Sequence, residues 1–366
     1  MLKIGIVGVG KMGLSHLSIL NTHPGVQVVG LCDATGYVLD VLHKYTGLAT
    51  YGDYRTLIDQ ARPDAVVIAT PTRTHAEIAR YALERGIHVF VEKPFCLSVE
   101  EGRDLTALAE RAGVVNQVGY HYRFVGAFEE VKRLVEARAI GEIHNFRVEA
   151  YGPVVLQPKG MTWRSSKNEG GGCLYDYASH AVNLITHLFG MPVGVGGTAM
   201  RSVFSKGVDD EVYATLYHAD GLTGQVCINW SDDTHRKMSL RVEAWGKNGK
   251  INADRQECQL HVRDEGWKVG YTTELSRPVR YYVRGEEYSA QLDYFIDCIE
   301  RGEKQNVNSF ARALDTDLVL DMLQRDASLG PRTTSARPVE ILAKKGAIRQ
   351  TLARWIAGKP ALQRVP

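Results

Sequence analysis

Several features that mark specialised classes of protein are missing from this sequence of 366 residues. It has no apolar run of about 18 residues, the length that a membrane-spanning helix needs. Its start, "MLKIGIVGVG", lacks the basic flank and the small-residue cleavage site of a signal peptide. The net charge is only +2, which gives no general attraction to nucleic acid or to anionic membranes. We therefore expect a cytoplasmic protein with neither a nucleic-acid nor a membrane partner.

The six cysteines are scattered along the chain and include no C-x-x-C pair. Such a distribution is typical of reduced, mostly buried thiols rather than of a disulfide framework. The His, Cys and acidic residues follow no metal-ligand spacing, and the sequence contains no internal repeat or low-complexity segment. We therefore predict an ordinary globular protein without a metal site.

The length and the pattern of apolar residues indicate two domains. Over the first 120 residues, helical patterns alternate with short apolar runs, namely LKIGIVG, VQVVGLC, DAVVIAT, IHVFVE and VVNQVG. Apolar strands that alternate with helices form parallel sheets covered on both faces. Residues 1–122 are therefore predicted to form an α/β nucleotide-binding domain with a doubly wound parallel sheet.

Beyond about residue 140 the runs are longer and alternate apolar with polar residues, as in IHNFRVEAYG, DEVYATLYHA, LTGQVCINWS and MSLRVEAWG. The segment GKNGK at 246–250 is a hairpin turn signal. Successive alternating strands predict an open, mostly antiparallel sheet in an α+β domain over residues 123–330. We expect one of its faces to be covered by helices near 124–137, 175–189, 287–301 and 309–329.

The other face of this predicted sheet would carry Gln225, Asn229, Arg241, Glu243 and Trp245. Its aromatic residues are large for a surface in solvent, and an open sheet face of this kind often packs against a second copy of the chain. We therefore predict a homodimer or a homotetramer.

Residues 331–366 form a basic C-terminal extension. They include eight Lys or Arg residues and one acid, Glu340, which gives a net charge of +7. The apolar residues between 341 and 356 fall near helical spacing. We interpret the extension as a short peripheral helix that packs on the body or on a neighbouring subunit. A site for a polyanion is the alternative.

A dinucleotide-binding fingerprint lies at the start of the chain. The segment GVGKMG places Gly8, Gly10 and Gly13 in G-x-G-x-x-G spacing, directly after the first predicted strand and at the start of a helix. Gly8 permits the tight turn, Gly10 lets the backbone approach the pyrophosphate, and Gly13 allows close packing of helix on strand. Lys11 and Met12 complete the predicted cofactor-binding loop, whose helix N-terminus faces the phosphates. A glycine turn without a ligand is the alternative.

Asp33 follows the second predicted strand, 20 residues after the third glycine. An acid at this place accepts hydrogen bonds from the adenosine ribose and repels a 2′-phosphate. The following segment, ATGYV, offers no Arg or Lys to neutralise such a phosphate. NAD is therefore predicted as the cofactor in preference to NADP. A helix N-cap is a second role for Asp33, compatible with the first.

The segment HVFVEKPF, residues 88–95, places two opposite charges at the end of an apolar run. Glu92 and Lys93 are followed at once by Pro94. An exposed Glu–Lys pair would contribute only ~0–1 kcal/mol to stability, so it gives no reason for this placement. A functional role for the two residues is the other interpretation, and the remaining motifs support it.

These motifs together resemble the Gfo/Idh/MocA family, which includes glucose–fructose oxidoreductase, inositol dehydrogenases and sugar-nucleotide dehydrogenases. The resemblance covers residue 1 to about residue 330 and depends on GVGKMG, ATPTRTH (69–75), EKP (92–94), GYHYRF (119–124) and GGGCLYDYASH (170–180). It implies a Rossmann domain followed by a mostly antiparallel sheet, which carries the substrate site and the subunit contacts.

The resemblance also implies catalytic roles. Lys93 would contact the reacting hydroxyl and the cofactor, Glu92 the nicotinamide ribose, and the Lys93–Pro94 bond is a candidate cis peptide. His180 would be the base that removes the alcohol proton, with an ordinary pKa near 6.5. Asp176, four residues earlier on the same face of a predicted helix, would orient the imidazole or hold a substrate hydroxyl.

Other positions match the family's motifs less specifically, and interdomain packing is an alternative role for most of them. Further cofactor contacts are implied at Thr70, Pro71, Thr72, His75, Gln117 and Arg164. Further substrate contacts are implied at Tyr120, Tyr122, Arg123, Trp163 and Asn183. Many family members carry an acid at the last of these positions, so here the amide keeps hydrogen bonding but loses the charge.

The resemblance therefore implies an NAD-dependent oxidoreductase that acts on a secondary alcohol or ketone of a sugar, sugar derivative, sugar nucleotide or cyclitol. An NAD-dependent glycosidase of the same family, which oxidises its substrate only transiently, is one alternative. A non-catalytic NAD-binding sensor is another, although the presence of Lys93, Asp176 and His180 together argues against it.

Overall fold

The computed structural model of the chain describes residues 1–156 and 162–330. The predicted helix of the basic extension, residues 331–366, lies outside these residues. The strands of the described residues form two sheets, one of six strands and one of eight.

The first sheet is parallel throughout and has the strand order β3-β2-β1-β4-β5-β6. Its strands are β1 (Leu2–Val7), β2 (Val26–Cys32), β3 (Thr50–Tyr51), β4 (Ala65–Ile68), β5 (His88–Val91) and β6 (Asn116–Val118). The helices between them are α1 (Lys11–Leu20), α2 (Gly36–Thr46), α3 (Tyr54–Ala61), α4 (His75–Leu83) and α5 (Val99–Ala112). This is the predicted Rossmann arrangement, in which the carboxyl ends of all the strands meet at one edge.

The second sheet has the order β14-β13-β12-β11-β7-β10-β9-β8, and only the β7–β10 pair is parallel. Its strands are β7 (Ile143–Tyr151), β8 (Gly194–Arg201), β9 (Glu211–Tyr217), β10 (Thr223–Asn229), β11 (Ser239–Gly246), β12 (Gly249–Ala253), β13 (Glu257–Val262) and β14 (Gly266–Tyr271). The associated helices are α6 (Gly126–Glu136), α7 (Ser179–Phe189), α8 (Thr272–Leu275), α9 (Glu286–Arg301) and α10 (Phe310–Ser328). The predicted open, mostly antiparallel sheet is confirmed.

One face of the second sheet packs against α6, α7 and part of α10. Because side chains alternate between the two faces along β10, Val226 and Ile228 lie in this core, while Gln225 is exposed on the opposite face. β11 repeats the pattern, with Val242 buried and Arg241 exposed. The helices therefore cover one face of the sheet, as expected from the period of two.

The prediction that α9 covers this second sheet is wrong. Leu292, Phe295 and Ile296 pack in the core of the first sheet instead, where the ring of Phe295 lies 5.7 Å from that of Phe90. The amphipathic pattern of a helix indicates which side chains are buried but not which sheet buries them. The chain thus returns to the nucleotide-binding sheet after completing the second one.

α10 links the two cores. Phe310 and Ala313, in its first turns, pack with the first sheet, whereas Val319, Leu320 and Leu323 pack with the second. Within the described part of the chain, no helix is long and apolar enough to cross a lipid bilayer.

Candidate active site

The glycine loop after β1 has the shape that a pyrophosphate needs. Gly8 has φ +90°, and a Cβ atom on it would stand 2.7 Å from the backbone of Ala69. A Cβ on Gly13 would stand 1.8 Å from the carbonyl oxygen of Gly8, so this helix start must be glycine. A Cβ on Gly10 would meet nothing within 4 Å. The open space beside Gly10 fits the close approach of a phosphate group at the N-terminus of α1.

Asp33 is fixed beside this loop. Its Oδ2 accepts a hydrogen bond from the backbone N–H of Val9 at 2.9 Å, and its Oδ1 accepts one from Thr35 N–H at 2.9 Å. Each carboxylate oxygen keeps a free lone pair, so the group can still accept hydrogen bonds from a ribose. The predicted residues Lys11 and Met12 lie in the first turn of α1, adjacent to the open space.

The loop after β4 is tied to the EKP segment by a buried histidine. The ring nitrogens of His75 lie 3.0 Å from the carbonyl oxygen of Thr70 and 3.1 Å from that of Pro94. Burial lowers the pKa of His75. Pro71 and the buried Thr72 begin the short helix between these points. His75, predicted to contact the cofactor, has both nitrogens directed at the backbone and holds the loop that faces the crevice.

Glu92 and Lys93 do not pair with each other. Glu92 is buried, and its Oε1 lies 2.7 Å from Nε2 of the fully buried His16 on α1. Its Oε2 accepts the backbone N–H of Lys93 at 3.2 Å. The carboxylate is therefore fixed between the helix of the glycine loop and the end of β5, and the alternative of an exposed strand-end ion pair is wrong.

Lys93 instead points toward the π-helical turn Leu174–Ala178, which precedes α7. Its Nζ donates to Asp176 Oδ1 at 2.6 Å and to the Asp176 carbonyl oxygen at 3.1 Å. The Lys93–Pro94 bond is cis, as predicted. Arg164, predicted to contact the cofactor, donates from Nε to the other carboxylate oxygen of Asp176 at 2.8 Å. Burial by itself would raise the pKa of Asp176, but the two cations hold it at about 2.

The expected contact between Asp176 and His180 does not form. Residues Leu174–Ala178 form a π-helical turn before α7, and both oxygens of Asp176 are engaged by Lys93 and Arg164. The i, i+4 spacing assumed a regular α-helix, and the wider turn changes the relation of the two side chains. Asp176 therefore orients the lysine rather than the imidazole.

His180 is buried among aromatic rings. Its ring centroid lies 4.9 Å from that of His121 and 5.0 Å from that of Tyr122, and its Nδ1 has no hydrogen-bond partner among the described residues. Burial, and then the charges of Lys93 and His121, lower its pKa well below the usual value. The prediction that His180 has an ordinary pKa near 6.5 is therefore wrong. The imidazole is neutral at physiological pH, which is the form that accepts a proton.

Two residues predicted to contact substrate lie in the protein interior instead. Arg123 donates from Nε to Asn183 Oδ1 at 2.7 Å and from Nη2 to the Asn183 carbonyl oxygen at 3.0 Å. Asn183 Nδ2 in turn donates to Thr316 Oγ1 at 3.0 Å. Burial lowers the pKa of Arg123 to about 9. The amide that stands in place of an acid is thus a partner of a buried arginine, and these contacts connect α7 with α10.

The remaining predicted residues line or support the crevice. Tyr120 is buried, with its ring centroid 6.2 Å from that of His180. Gln117 is fully buried and donates to the carbonyl oxygen of Gln291 at 2.8 Å, so it anchors α9. Trp163 lies in a short helix at the rim, with the Arg164 guanidinium 4.5 Å from its ring.

Three side chains at the site were not found by the sequence analysis. His16 holds Glu92, as described above. His121 lies beside His180 and stacks on Tyr288 of α9 at 4.4 Å between ring centroids. Arg255, from the β12–β13 turn, pairs with the buried Glu287 and lies 5.9 Å from the Tyr122 ring. His121 stands inside a motif that was identified, but the others come from distant segments with no local signal.

The parallel sheet with its glycine loop and these side chains define a class, the oxidoreductases with a dinucleotide-binding fold. Residues 2–120 match the family described as "Oxidoreductase family, NAD-binding Rossmann fold", and residues 128–252 match the "GFO/IDH/MocA C-terminal domain". The chain belongs to the Gfo/Idh/MocA family of oxidoreductases, and residues 2–120 are its NAD-binding Rossmann fold.

Several relatives are named as dehydrogenases. The chain is 30% identical over 191 residues to the Bacillus subtilis "Glucose-6-phosphate 3-dehydrogenase", a match that spans 52% of this chain and 54% of that protein. It is 25% identical to the B. subtilis "scyllo-inositol 2-dehydrogenase (NAD(+))" over 326 residues, 86% of this chain and 91% of that protein. The structure of levoglucosan dehydrogenase with NADH and levoglucosan is similar in fold, with a TM-score of 0.82 and 24% identity over 90% of this chain and 97% of that chain.

Proposed function

We propose that the protein is an NAD-dependent dehydrogenase that interconverts a secondary hydroxyl group and a ketone on a sugar, sugar derivative or cyclitol. The observation that supports this most is the meeting of Lys93, Asp176 and the neutral His180 at the carboxyl edge of the Rossmann sheet. Ligands bind at this edge in doubly wound folds. The names of the relatives, which include sugar and inositol dehydrogenases, support the same substrate class.

The proton and the developing charge are handled by two side chains. NAD⁺, when bound, supplies the acceptor for the hydride that leaves the carbinol carbon. His180 takes the hydroxyl proton on its imidazole, which burial and nearby cations keep neutral beforehand. Lys93 has three N–H groups, and two of them donate to Asp176. Its third N–H donates to the substrate oxygen and stabilises the alkoxide as it forms.

The cofactor-binding residues follow from the crevice. Gly8, Gly10 and Gly13 would hold the pyrophosphate, Asp33 the adenosine ribose, and Glu92 the nicotinamide ribose. Glu92 suits this role because His16 fixes its carboxylate and because it directly precedes Lys93 at the end of β5. Tyr122, Trp163 and His121 would line the substrate side, since aromatic faces pack well against the C–H groups of a sugar.

A substrate screen tests the proposal. Purified protein would be incubated with NAD⁺ and, separately, with levoglucosan, scyllo-inositol, glucose 6-phosphate and other polyols, while NADH absorbance is followed. We expect at least one compound to give NADH and an equal amount of ketone, with NADH formation slower by a factor of roughly 10²–10³ in the Lys93→Met variant. Hydrolysis of a glycoside without accumulation of NADH would favour the NAD-dependent glycosidase. Tight NAD⁺ binding with no turnover of any compound would favour the sensor.

We also propose that two or more copies of the chain associate through the outer face of the second sheet. Trp267, Val269 and Tyr271 on β14 are about half exposed on that face. Further along it, Glu243 is buried beneath Lys250, whose Nζ lies 3.0 Å from Glu243 Oε1. Light scattering at micromolar concentration should give a dimer or tetramer mass. A single species of 40.6 kDa would contradict the proposal.

A further inference from the structure

The carboxylate of Asp176 is shared between two cations that approach from different segments. Lys93, which follows β5, donates to Oδ1 of Asp176. Arg164, in the short helix Trp163–Ser165, donates to Oδ2. The side chains of Asp176 and Lys93 are only 5% and 13% exposed, whereas that of Arg164 is 39% exposed. Arg164 therefore brings its charge to a buried carboxylate from the rim of the crevice.

We infer that Arg164 is a positioning residue for the reaction. By holding one carboxylate oxygen of Asp176, it leaves only the other carboxylate oxygen to bind Lys93, so that one lysine N–H remains for the substrate. This role rests on the proposed function of Lys93. It replaces the contact with the cofactor that the sequence implied for Arg164. Nothing in the inference requires Arg164 to touch the substrate.

The glycine run before Asp176 holds Arg164 in place. A Cβ atom on Gly171 would stand 2.4 Å from the carbonyl oxygen of Arg164 and 2.6 Å from that of Trp163. The backbone N–H of Gly172 donates to the same Arg164 oxygen at 3.2 Å. The helical turn that carries Asp176 and the turn that carries Arg164 are thus packed backbone to backbone. The absence of side chains in this run is what allows the two residues to meet.

The charges show what Arg164 contributes. One carboxylate facing one ammonium group could turn so that both oxygens engage Lys93. With Oδ2 held at 2.8 Å by Arg164, only Oδ1 and the backbone oxygen of Asp176 are available to the lysine. Lys93 then keeps its third N–H, the donor that the proposed mechanism uses. The second cation also keeps the buried carboxylate ionised, which burial alone opposes.

The first test needs no substrate. The Asp carboxyl carbons would be labelled with ¹³C, and the Asp176 signal would be followed as the pH is lowered in the wild type and in Arg164→Gln. Because an opposite charge within hydrogen-bond distance lowers a carboxyl pKa by ~1–3 units, we expect the Asp176 pKa to rise by about one unit or more in the variant. Arg164→Lys, which keeps the charge, should restore most of the shift. An unchanged Asp176 titration in Arg164→Gln would overturn the inference.

The second test uses any compound that the wild type oxidises. Arg164→Gln should lower kcat/KM by about 10- to 100-fold through misplacement of Lys93 and should move the acid limb of the pH profile to higher pH. NAD⁺ affinity should stay within about threefold of the wild-type value, well below the tenfold that 1.4 kcal/mol represents. The control is Arg133→Gln, which removes an exposed arginine paired with Glu130 and should change neither quantity. A large loss of NAD⁺ affinity in Arg164→Gln would show that Arg164 binds the cofactor instead.

Two glycine substitutions distinguish the effect of backbone packing at Arg164 from the effect of its charge. Gly171→Ala keeps every charge but forces the turn of Trp163 and Arg164 to move, so it should reproduce the loss in kcat/KM and the raised Asp176 pKa. Gly194→Ala, where a Cβ would meet nothing within 4 Å, is the matched control and should behave as the wild type. If Gly171→Ala kept normal values of both, the packing of the glycine run would not be what holds Arg164. If the wild type oxidised nothing, the proposed function would fail while the titration could still be read.

Discussion

The two sides of the crevice are built by different means. The cofactor side consists mainly of backbone: three glycines, the ends of parallel strands, and a carboxylate held by two backbone N–H groups at Asp33. The substrate side consists of charged and aromatic side chains that converge from separate segments, with Lys93, Arg164 and Asp176 at its centre. One side therefore depends on the absence of side-chain atoms and the other on a balance of charges. Different substitutions should break each of them.

The largest expected effect on the substrate side comes from His180→Ala. The variant loses the neutral imidazole that receives the hydroxyl proton, so the rate of hydride transfer should fall by about 10²–10⁴. NAD⁺ affinity should change little, because the imidazole lies among Tyr122, His121 and Tyr120 rather than in the glycine loop. Single-turnover kinetics and fluorescence titration of NAD⁺ would measure the two quantities. If the rate of hydride transfer and the NAD⁺ affinity fell by the same factor, the distinction between the cofactor side and the substrate side of the crevice would be contradicted.

On the cofactor side, Gly10→Ala and Gly13→Ala should differ from each other. A Cβ on Gly13 meets the Gly8 carbonyl at 1.8 Å, so Gly13→Ala should lower both stability and NAD⁺ affinity, by about 1–3 kcal/mol each. A Cβ on Gly10 meets nothing within 4 Å, so Gly10→Ala should fold as the wild type and lose only NAD⁺ affinity. Thermal unfolding with and without NAD⁺ would separate the variants. Normal NAD⁺ binding by Gly10→Ala would place the phosphates elsewhere.

A smaller effect is expected at Asp317, a buried carboxylate outside both sides of the crevice. It lies on α10 where the helix passes between the two cores, is 6% exposed, and pairs with no cation among the described residues; only a backbone contact at Cys96 favours its charged form. Burial raises its pKa well above the usual value, the opposite of the shift at Asp176. The comparison of two buried aspartates isolates what the cations Lys93 and Arg164 contribute.

The sign of the Asp317 effect follows from linkage. Because the folded-state pKa is raised, the neutral form stabilises the fold at acid pH, and this stability is lost as the pH rises through the raised pKa. Asp317→Asn cannot ionise, so its stability relative to that of the wild type should rise between acid and neutral pH. Urea unfolding at several pH values measures this. If the unfolding free energies of Asp317→Asn and the wild type differed by the same amount at every pH, the raised pKa of Asp317 would be contradicted.

The difference between the two sides also explains what the sequence could reveal. Gly8, Gly10, Gly13 and Asp33 lie within one βαβ unit, so their spacing along the chain is enough to predict a nucleotide site. The strand periods likewise predicted both sheets. A local pattern of this kind needs no knowledge of distant segments.

The substrate side was only partly predictable because its contacts join segments far apart in the chain. Lys93, Asp176 and His180 were predicted as catalytic residues, but the contacts of Asp176 with Lys93 and Arg164 were not predicted, since a π-helical turn replaced the expected regular helix. His16 pairs with Glu92 across 76 residues, and nothing around either residue indicates the other. Helix α9 was assigned to the wrong sheet for the same reason.

The central claim is that the EKP lysine serves the chemistry and not the binding of the cofactor. The most direct measurement is single-turnover hydride transfer in Lys93→Met, with NAD⁺ affinity measured on the same preparation. Loss of the cation that stabilises the alkoxide should slow the transfer by roughly 10²–10³, about 3–4 kcal/mol, with only a modest change in NAD⁺ affinity. The double variant with His180→Ala should lose less than the product of the two single losses, because both residues act on one proton transfer. Near-normal transfer by Lys93→Met would contradict the account and leave the contact of Lys93 with Asp176 as a structural ion pair.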